Sequence, residues 1–190
     1  MIIVLLGPPG AGKGTQAKKI CQSKELFHFS TGDILRNEVK QKSSIGHKIE
    51  SIINAGKLVS NDIILSIVEK IISEESSENK KILFDGFPRN MDQANLFERL
   101  LEKKEKKIDL VLHLQIEKDE IIKRIKKRQA EENREDDSIE VLKSRIDVYL
   151  QETTPLIDLY KKQNILKTLN GTQSIEDVSN DMNKSLDEIN

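Results

Sequence analysis

This chain of 190 residues predicts a three-layer α/β/α sandwich, with helices on both faces of a parallel central sheet. Three observations predict it. Four apolar runs, Ile2–Leu6, Lys81–Phe84, Ile108–Ile116 and Ile165–Leu169, alternate with longer segments of helical period. The first run opens directly into a glycine-rich loop, Gly7-Pro8-Pro9-Gly10, and a helix. The conspicuous polar motifs follow Leu6, Phe84 and Leu169, the carboxyl ends of strands, where such sheets bind ligands.

Taken in order, Ile2–Leu6 is short, β-branched and uninterrupted by polar residues, as expected of a strand buried on both faces. Lys13–Ser23 follows as a helix. Leu26–Phe29 is a short apolar segment leading into Ser30-Thr31-Gly32-Asp33, a helix-start signature. Helices are expected over Ile34–Lys42, Ile45–Asn54 and Asn61–Ser73, with turn signals at Ser43-Ser44 and Ala55-Gly56. Ser76–Lys81 reads as a polar loop. The second strand, Lys81–Phe84, stops at Asp85-Gly86, and Met91–Glu102 is helical. After the strand Ile108–Ile116, helices cover Glu117–Arg128 and Ser138–Tyr149, and Pro155 restarts a shorter one. The strand Ile165–Leu169 ends at Asn170-Gly171, before a terminal helix from Ser174. The charge-rich stretches Glu102–Lys107 and Glu131–Asp137 read as solvated loops.

Composition excludes several function classes. Lys and Arg number 31 against 32 Asp and Glu, so no net charge draws the chain to nucleic acid or anionic membrane. Aromatic residues are 4% with no Trp, too few for a base-stacking platform. A single cysteine, Cys21, rules out an internal disulfide and a multi-thiolate metal site. No apolar run approaches the ~18 residues of a membrane span. The apolar start lacks a basic leader and reads as a strand rather than a signal peptide. A cytoplasmic location is expected.

Gly7 to Thr15 reads GPPGAGKGT, a P-loop in its proper context of strand, loop and helix. Glycines let backbone N–H groups converge on an anion, and the helix N-terminus adds positive potential. Gly10, Ala11, Gly12, Lys13, Gly14 and Thr15 form the candidate phosphate cradle, with Lys13 as its mobile cation. Gly14 separates Lys13 from the hydroxyl residue Thr15, a variant of the commoner order. The base-recognition segment Asn-Lys-x-Asp of guanine-binding switch proteins is absent from the chain.

Six arginines stand out by position. Arg36 lies on the helix after the Ser30 signature, and Arg89 closes Asp85-Gly86-Phe87-Pro88-Arg89 past a strand end. Arg124 and Arg128 are four apart and share a helical stripe. Arg134 and Arg145 follow. With Lys13, this is more cation than one triphosphate requires, and two phosphate-bearing substrates are the economical reading. Surface ion pairing is the alternative for Arg134 and Arg145. His28, His47 and His113 show no metal-ligand spacing, and His113 reads as a packed or edge residue of a strand.

The stretches GPPGAGKGTQA (7–17), STGDILR (30–36), AGKLV (55–59), DGFPRNMDQA (85–94), RIKKR (124–128), REDD (134–137) and SRIDVY (144–149) resemble the adenylate kinase family, within the nucleoside monophosphate kinases, in the family's order and along most of the chain. The resemblance implies reversible phosphoryl transfer from MgATP to AMP, with ATP, AMP and ADP as partners and neither nucleic acid nor membrane. It implies a core of 1–29, 60–128 and 138–190, a helical monophosphate-binding insertion at 30–59, and a lid at 129–137, in an expected monomer. By that resemblance Gly10 to Thr15, Arg128 and Gln173 meet ATP. Thr31, Arg36, Lys57, Leu58, Val59, Gly86, Phe87, Pro88, Arg89, Gln93, Arg134 and Arg145 hold AMP. Lys13, Arg89, Arg124, Arg128, Arg134 and Arg145 are the catalytic cations. Mg²⁺ is expected with ATP, bound through water, with Asp85 and Asp33 as candidates to orient that water. Asp33 also reads as a carboxylate stabilising its helix N-terminus. The lid of nine residues departs from the longer form of many members and, without cysteine, excludes zinc.

Two positions bear on base choice. Thr31 and Gln93 stand where pyrimidine monophosphate kinases of the group typically carry Ala and Asn. A Gln amide offers one acceptor and one donor face, matching an adenine amino group beside a ring nitrogen. A pyrimidine monophosphate kinase and a non-catalytic nucleotide-binding regulator remain the alternatives.

Overall fold

The structure, a computed structural model, describes residues 1–75, 81–117, 119–125 and 138–189. Five parallel strands form one sheet: β1 (Ile2–Leu6), β2 (Phe27–Ser30), β3 (Ile82–Asp85), β4 (Leu110–Gln115) and β5 (Leu166–Asn170), in the order β2-β3-β1-β4-β5. β1 is central, with Val4 opposite Phe84 on one side and Val111 on the other. The helices are α1 (Lys13–Lys24), α2 (Thr31–Lys40), α3 (Ser44–Asn54), α4 (Asn61–Glu75), α5 (Met91–Glu102), α6 (119–125), α7 (Ile139–Val148), α8 (Thr154–Lys162) and α9 (Ile175–Asp187).

The pleat of β1 divides the core in two. Ile3 and Leu5 pack with Ala17 and Ile20 of α1 and with Val178 and Met182 of α9. Val4 and Leu6 face the other layer, with Val68 and Ile72 of α4, Phe97 of α5 and Tyr160 of α8. Phe84 anchors this second layer through tilted and edge contacts to Phe29 and Phe97, with ring centroids 5.1 and 4.9 Å away. Such ring pairs add about 0.5–1.5 kcal/mol each beyond their buried area. The predicted three layers are therefore present, with helices on both faces of a parallel sheet.

Local differences have physical reasons. The segment before Ser30 is a strand at the sheet edge, and its first residue, Phe27, is 37% exposed, which is why its signal is weak. α2 starts at Thr31 rather than Ile34, because Ser30 caps it by accepting the Asp33 N–H (3.3 Å). Where a break was expected before Pro155, the backbone continues through a π-helical turn, Tyr149–Thr153, straight into α8. Of the expected loop Ser76–Lys81, residues 76–80 lie outside the described residues, as do the part of the Glu117–Arg128 helix beyond 125 and the stretch 131–137.

Candidate active site

The carboxyl ends of β1 and β3 open into a cleft of about 940 Å³ that joins a smaller pocket of about 50 Å³ near α2. On the first side, Gly12 adopts left-handed backbone (φ 89°) and leads into α1, whose first turn carries neither a side-chain cap nor an acidic residue. A helix start without either suits an anion, because its first N–H groups point at the ligand and its dipole favours negative charge. Gly10 is required by contact as well as by φ. A Cβ there would lie 3.1 Å from the Ile125 side chain and 3.3 Å from the Ile121 carbonyl, so α6 packs directly on the loop. Lys13 Nζ donates to the carbonyls of Gly7 (2.7 Å) and Pro8 (3.0 Å). Arg124 pairs with Glu120 (2.9 Å) and reaches to 3.8 Å from the Cβ position of Gly12. Its hydrogen bond holds the Glu120 carboxyl below the usual range.

Asp85 ends β3 as a buried carboxylate, 7% exposed. Its Oδ2 lies 3.5 Å from His28 Nε2 and 3.8 Å from the Cβ position of Gly14. Asp85, Asp33 and Thr15 all line the cleft. Together they supply oxygen donors, the chemistry of a hard, hydrated cation. Among the described residues no three His, Cys, Asp or Glu side chains cluster as a direct metal site.

On the second side, Arg36, Arg89 and Arg145 all line the smaller pocket. Arg89 Nε donates to the Gly86 carbonyl (2.7 Å), and Arg36 pairs with Asp33 (2.5 Å). Burial above all, then the positive field of Arg145, lowers the Arg89 pKa to about 10, with Asp85 offsetting part of the shift and Arg36 adding a smaller depression. Guanidiniums this crowded favour an anion between them. α7, which carries Arg145, is held there by Ser144, whose hydroxyl donates to the Ala55 carbonyl (2.9 Å). Gly56 answers the same approach, since a Cβ there would meet the Val141 carbonyl at 2.9 Å.

Thr31, Lys57, Leu58, Val59, Gly86 and Gln93 line the smaller pocket too. The Thr31 hydroxyl donates to the Gly86 carbonyl (2.8 Å), which leaves its oxygen able to accept. Gln93, 2% exposed, accepts the Arg89 N–H at Oε1 (2.8 Å) and donates from Nε2 to Asn61 Oδ1 (3.0 Å). Pro88 and Gln173 line the large cleft. The satisfied orientation of the Gln173 amide donates to the carbonyl of Asn170 (2.8 Å) and to Asp181 (3.2 Å). Phe87 departs from expectation. Its ring is wholly buried against Phe84 and Phe97, so only its backbone belongs to the turn. Arg128, Arg134 and the stretch 129–137 lie outside the described residues.

Several cleft residues went unread in the sequence. Tyr149 lines the cleft and bonds through its hydroxyl to His113 Nε2 (3.1 Å). His113 is interior, not at an edge, and burial followed by the charge of Lys13 lowers its pKa, so it is neutral at pH 7. Thr153 donates to the Arg89 carbonyl (2.7 Å), joining the π turn to the arginine's own backbone. A lone histidine in an otherwise apolar strand was the only signal for this group.

Comparison with known proteins follows the same lines. A family model described as adenylate kinase matches residues 5–165. The chain is 46% identical over 184 residues to "Adenylate kinase" from Prochlorococcus marinus, covering 97% of each. It is 38% identical over 186 residues to "Adenylate kinase" from a Caulobacter species, covering 98% of each. Against "Adenylate kinase" from Chloroherpeton thalassium the identity is 37%, over 100% of this chain and 97% of that one.

Proposed function

Because the chain belongs to the adenylate kinase family and is thereby a phosphotransferase, we propose that it transfers the terminal phosphoryl group of ATP to AMP, reversibly, giving two ADP. The observation that carries this reading is the pairing of two anion sites in one cleft. The P-loop with Lys13 forms one, and Arg36, Arg89 and Arg145 form the other.

The attacking oxygen belongs to a phosphate that is already anionic, so no base has to remove a proton. The barrier is the approach in line of two anions, and catalysis is positioning plus countercharge. Backbone N–H groups of Gly10 to Thr15 and Lys13 hold the donor phosphates, with Arg124 beside them. Arg89 and Arg36 grip the acceptor phosphate through planar forks that fix angle as well as distance. Arg145 adds positive charge beside the transferring group. Arg128 and Arg134 complete the cation set on the resemblance alone. The oxygen donors of Asp85, Asp33 and Thr15 fit Mg²⁺ held through water. Bound with ATP, that ion neutralises phosphate charge. Segment 30–59 acts as the monophosphate-binding subdomain and 129–137 as a short lid, and their closure keeps water from the phosphoryl group. Gln173 borders the donor nucleotide. Among the described residues no helix is long and apolar enough to cross a membrane. We take the enzyme as a cytoplasmic monomer acting on free nucleotides.

An acceptor screen with ATP and AMP, CMP, UMP or GMP, read by coupled ADP formation, tests the reading. AMP is expected to be preferred by orders of magnitude. Comparable kcat/KM for AMP and CMP would instead establish a pyrimidine monophosphate kinase, and no turnover with any acceptor a nucleotide-binding protein.

A further inference from the structure

We propose that Asn61, which lines neither pocket, is a positioning residue that fixes which way round the Gln93 amide faces the acceptor base, and so sets the choice against guanine and uracil. The inference rests on the reading that the acceptor base docks in the pocket beside Gln93. An amide can present its oxygen and nitrogen in two orders, and only one suits a given base edge. Here the order is dictated by backbone. The Gln93 N–H is capped by Asn90 Oδ1 (2.8 Å), which turns the Asn90 amide nitrogen toward Asn61 Oδ1 (3.4 Å). Asn61 Oδ1 is thereby the acceptor of the group and takes Gln93 Nε2 (3.0 Å). At the other end of the same amide, the Arg89 N–H holds Oε1 (2.8 Å). Gln93 is 2% exposed, so a flipped amide would bury two mismatched groups.

Locked this way, Gln93 keeps one N–H and one lone pair of its oxygen in a fixed order. Adenine and cytosine both carry an amino group at the corresponding corner, where guanine and uracil carry a carbonyl. A fixed amide therefore accepts the first pair and meets guanine and uracil donor to donor and acceptor to acceptor. Size, not amide order, must separate adenine from cytosine. The lock predicts an uneven loss of specificity when Asn61 is changed.

The test measures kcat/KM for AMP, GMP, UMP and CMP in the wild type, Asn61→Ala and Asn61→Asp, with thermal unfolding alongside. Asn61→Ala should narrow the AMP preference over GMP and UMP by about five- to tenfold, the worth of one neutral hydrogen bond, because the Arg89 N–H still holds the other end. Its AMP-to-CMP ratio should not move. Asn61→Asp keeps the acceptor oxygen and should retain all three ratios. Loss in equal proportion for all four acceptors, or Asn61→Asp behaving as Asn61→Ala, would overturn the proposal. Should Asn61→Ala fail to fold, Asn61→Ser, too short to reach Gln93, carries the same expectation. Wild-type preference for an acceptor other than AMP would overturn the functional reading itself, before any variant is compared.

Discussion

Replacing Arg89 by lysine keeps a cation at the acceptor phosphate and removes the fork. The structural cost is small. Arg89 Nε donates to the Gly86 carbonyl at 2.7 Å, but that carbonyl also accepts the Thr31 hydroxyl at 2.8 Å and stays satisfied. The loss is one charge-assisted hydrogen bond to phosphate, about 1.5–3 kcal/mol, or roughly 10- to 150-fold in kcat/KM for AMP. The deficit should also depend on pH. Arg89 titrates near about 10 because of burial and the field of Arg145, so the wild type keeps its charge through neutral and mildly alkaline assays. A lysine starts about two units below arginine and meets the same field, so it loses its proton first as pH rises. Deprotonation removes the countercharge, so the AMP deficit of Arg89→Lys should widen between about pH 7 and 9 while the wild type holds steady. Steady-state kinetics with AMP varied at saturating ATP, and separate titration with ATP alone, measure both effects. Equal weakening of ATP and AMP, or a deficit that does not change with pH, would refute the acceptor-phosphate role.

Lys13→Ala should lower kcat by about 10²–10³-fold or more, with an unchanged circular dichroism spectrum, since one preorganised cation is lost at the transferring group. Thr153→Val leaves the Arg89 carbonyl without its 2.7 Å donor inside the protein, at about 1–3 kcal/mol, read as a fall in Tm together with a raised KM for AMP. Phe97→Ala removes a fully buried ring that touches Phe84 and Phe87, and should cost about 3–5 kcal/mol in denaturant unfolding with AMP preference unaltered.

Where chemistry demands residue types in a fixed spacing, the sequence was readable. The P-loop is such a case, because glycine gives the backbone at Gly10 and Gly12 its positive φ and, at Gly10, lets α6 approach closely. The buried strands were readable for a similar reason, since β1 and β4 lie in the sheet interior as runs of apolar residues. Edge strands are not all so plain, and β2, whose first residue is exposed, reads only as a short apolar segment before a helix start. The motif 85–89 shows a different limit. Its residues are contiguous in the chain yet diverge in space, with Gly86 and Arg89 at the pocket and the Phe87 ring in the core. Asn61 and Tyr149 were illegible because their roles arise from partners 32 and 36 residues away, a relation with no local pattern.

The π-helical turn joins α7 and α8 into one rod from Ile139 to Lys162. Eleven residues make just over three whole turns of α-helix, so in an unbroken rod Leu156 would point much the same way as Arg145. Instead Arg145 faces the cleft and Leu156 is fully buried in the core. The wide turn sets the second half back by about one residue's rotation, roughly 100°, and so puts the helix out of phase with itself. One rod thus serves two faces without a loop between them. Wound throughout as regular α-helix, the same eleven residues could keep the guanidinium in the cleft or the leucine in the core, but not both, whereas deleting one residue between 149 and 153 would remove the wide turn and leave both in place.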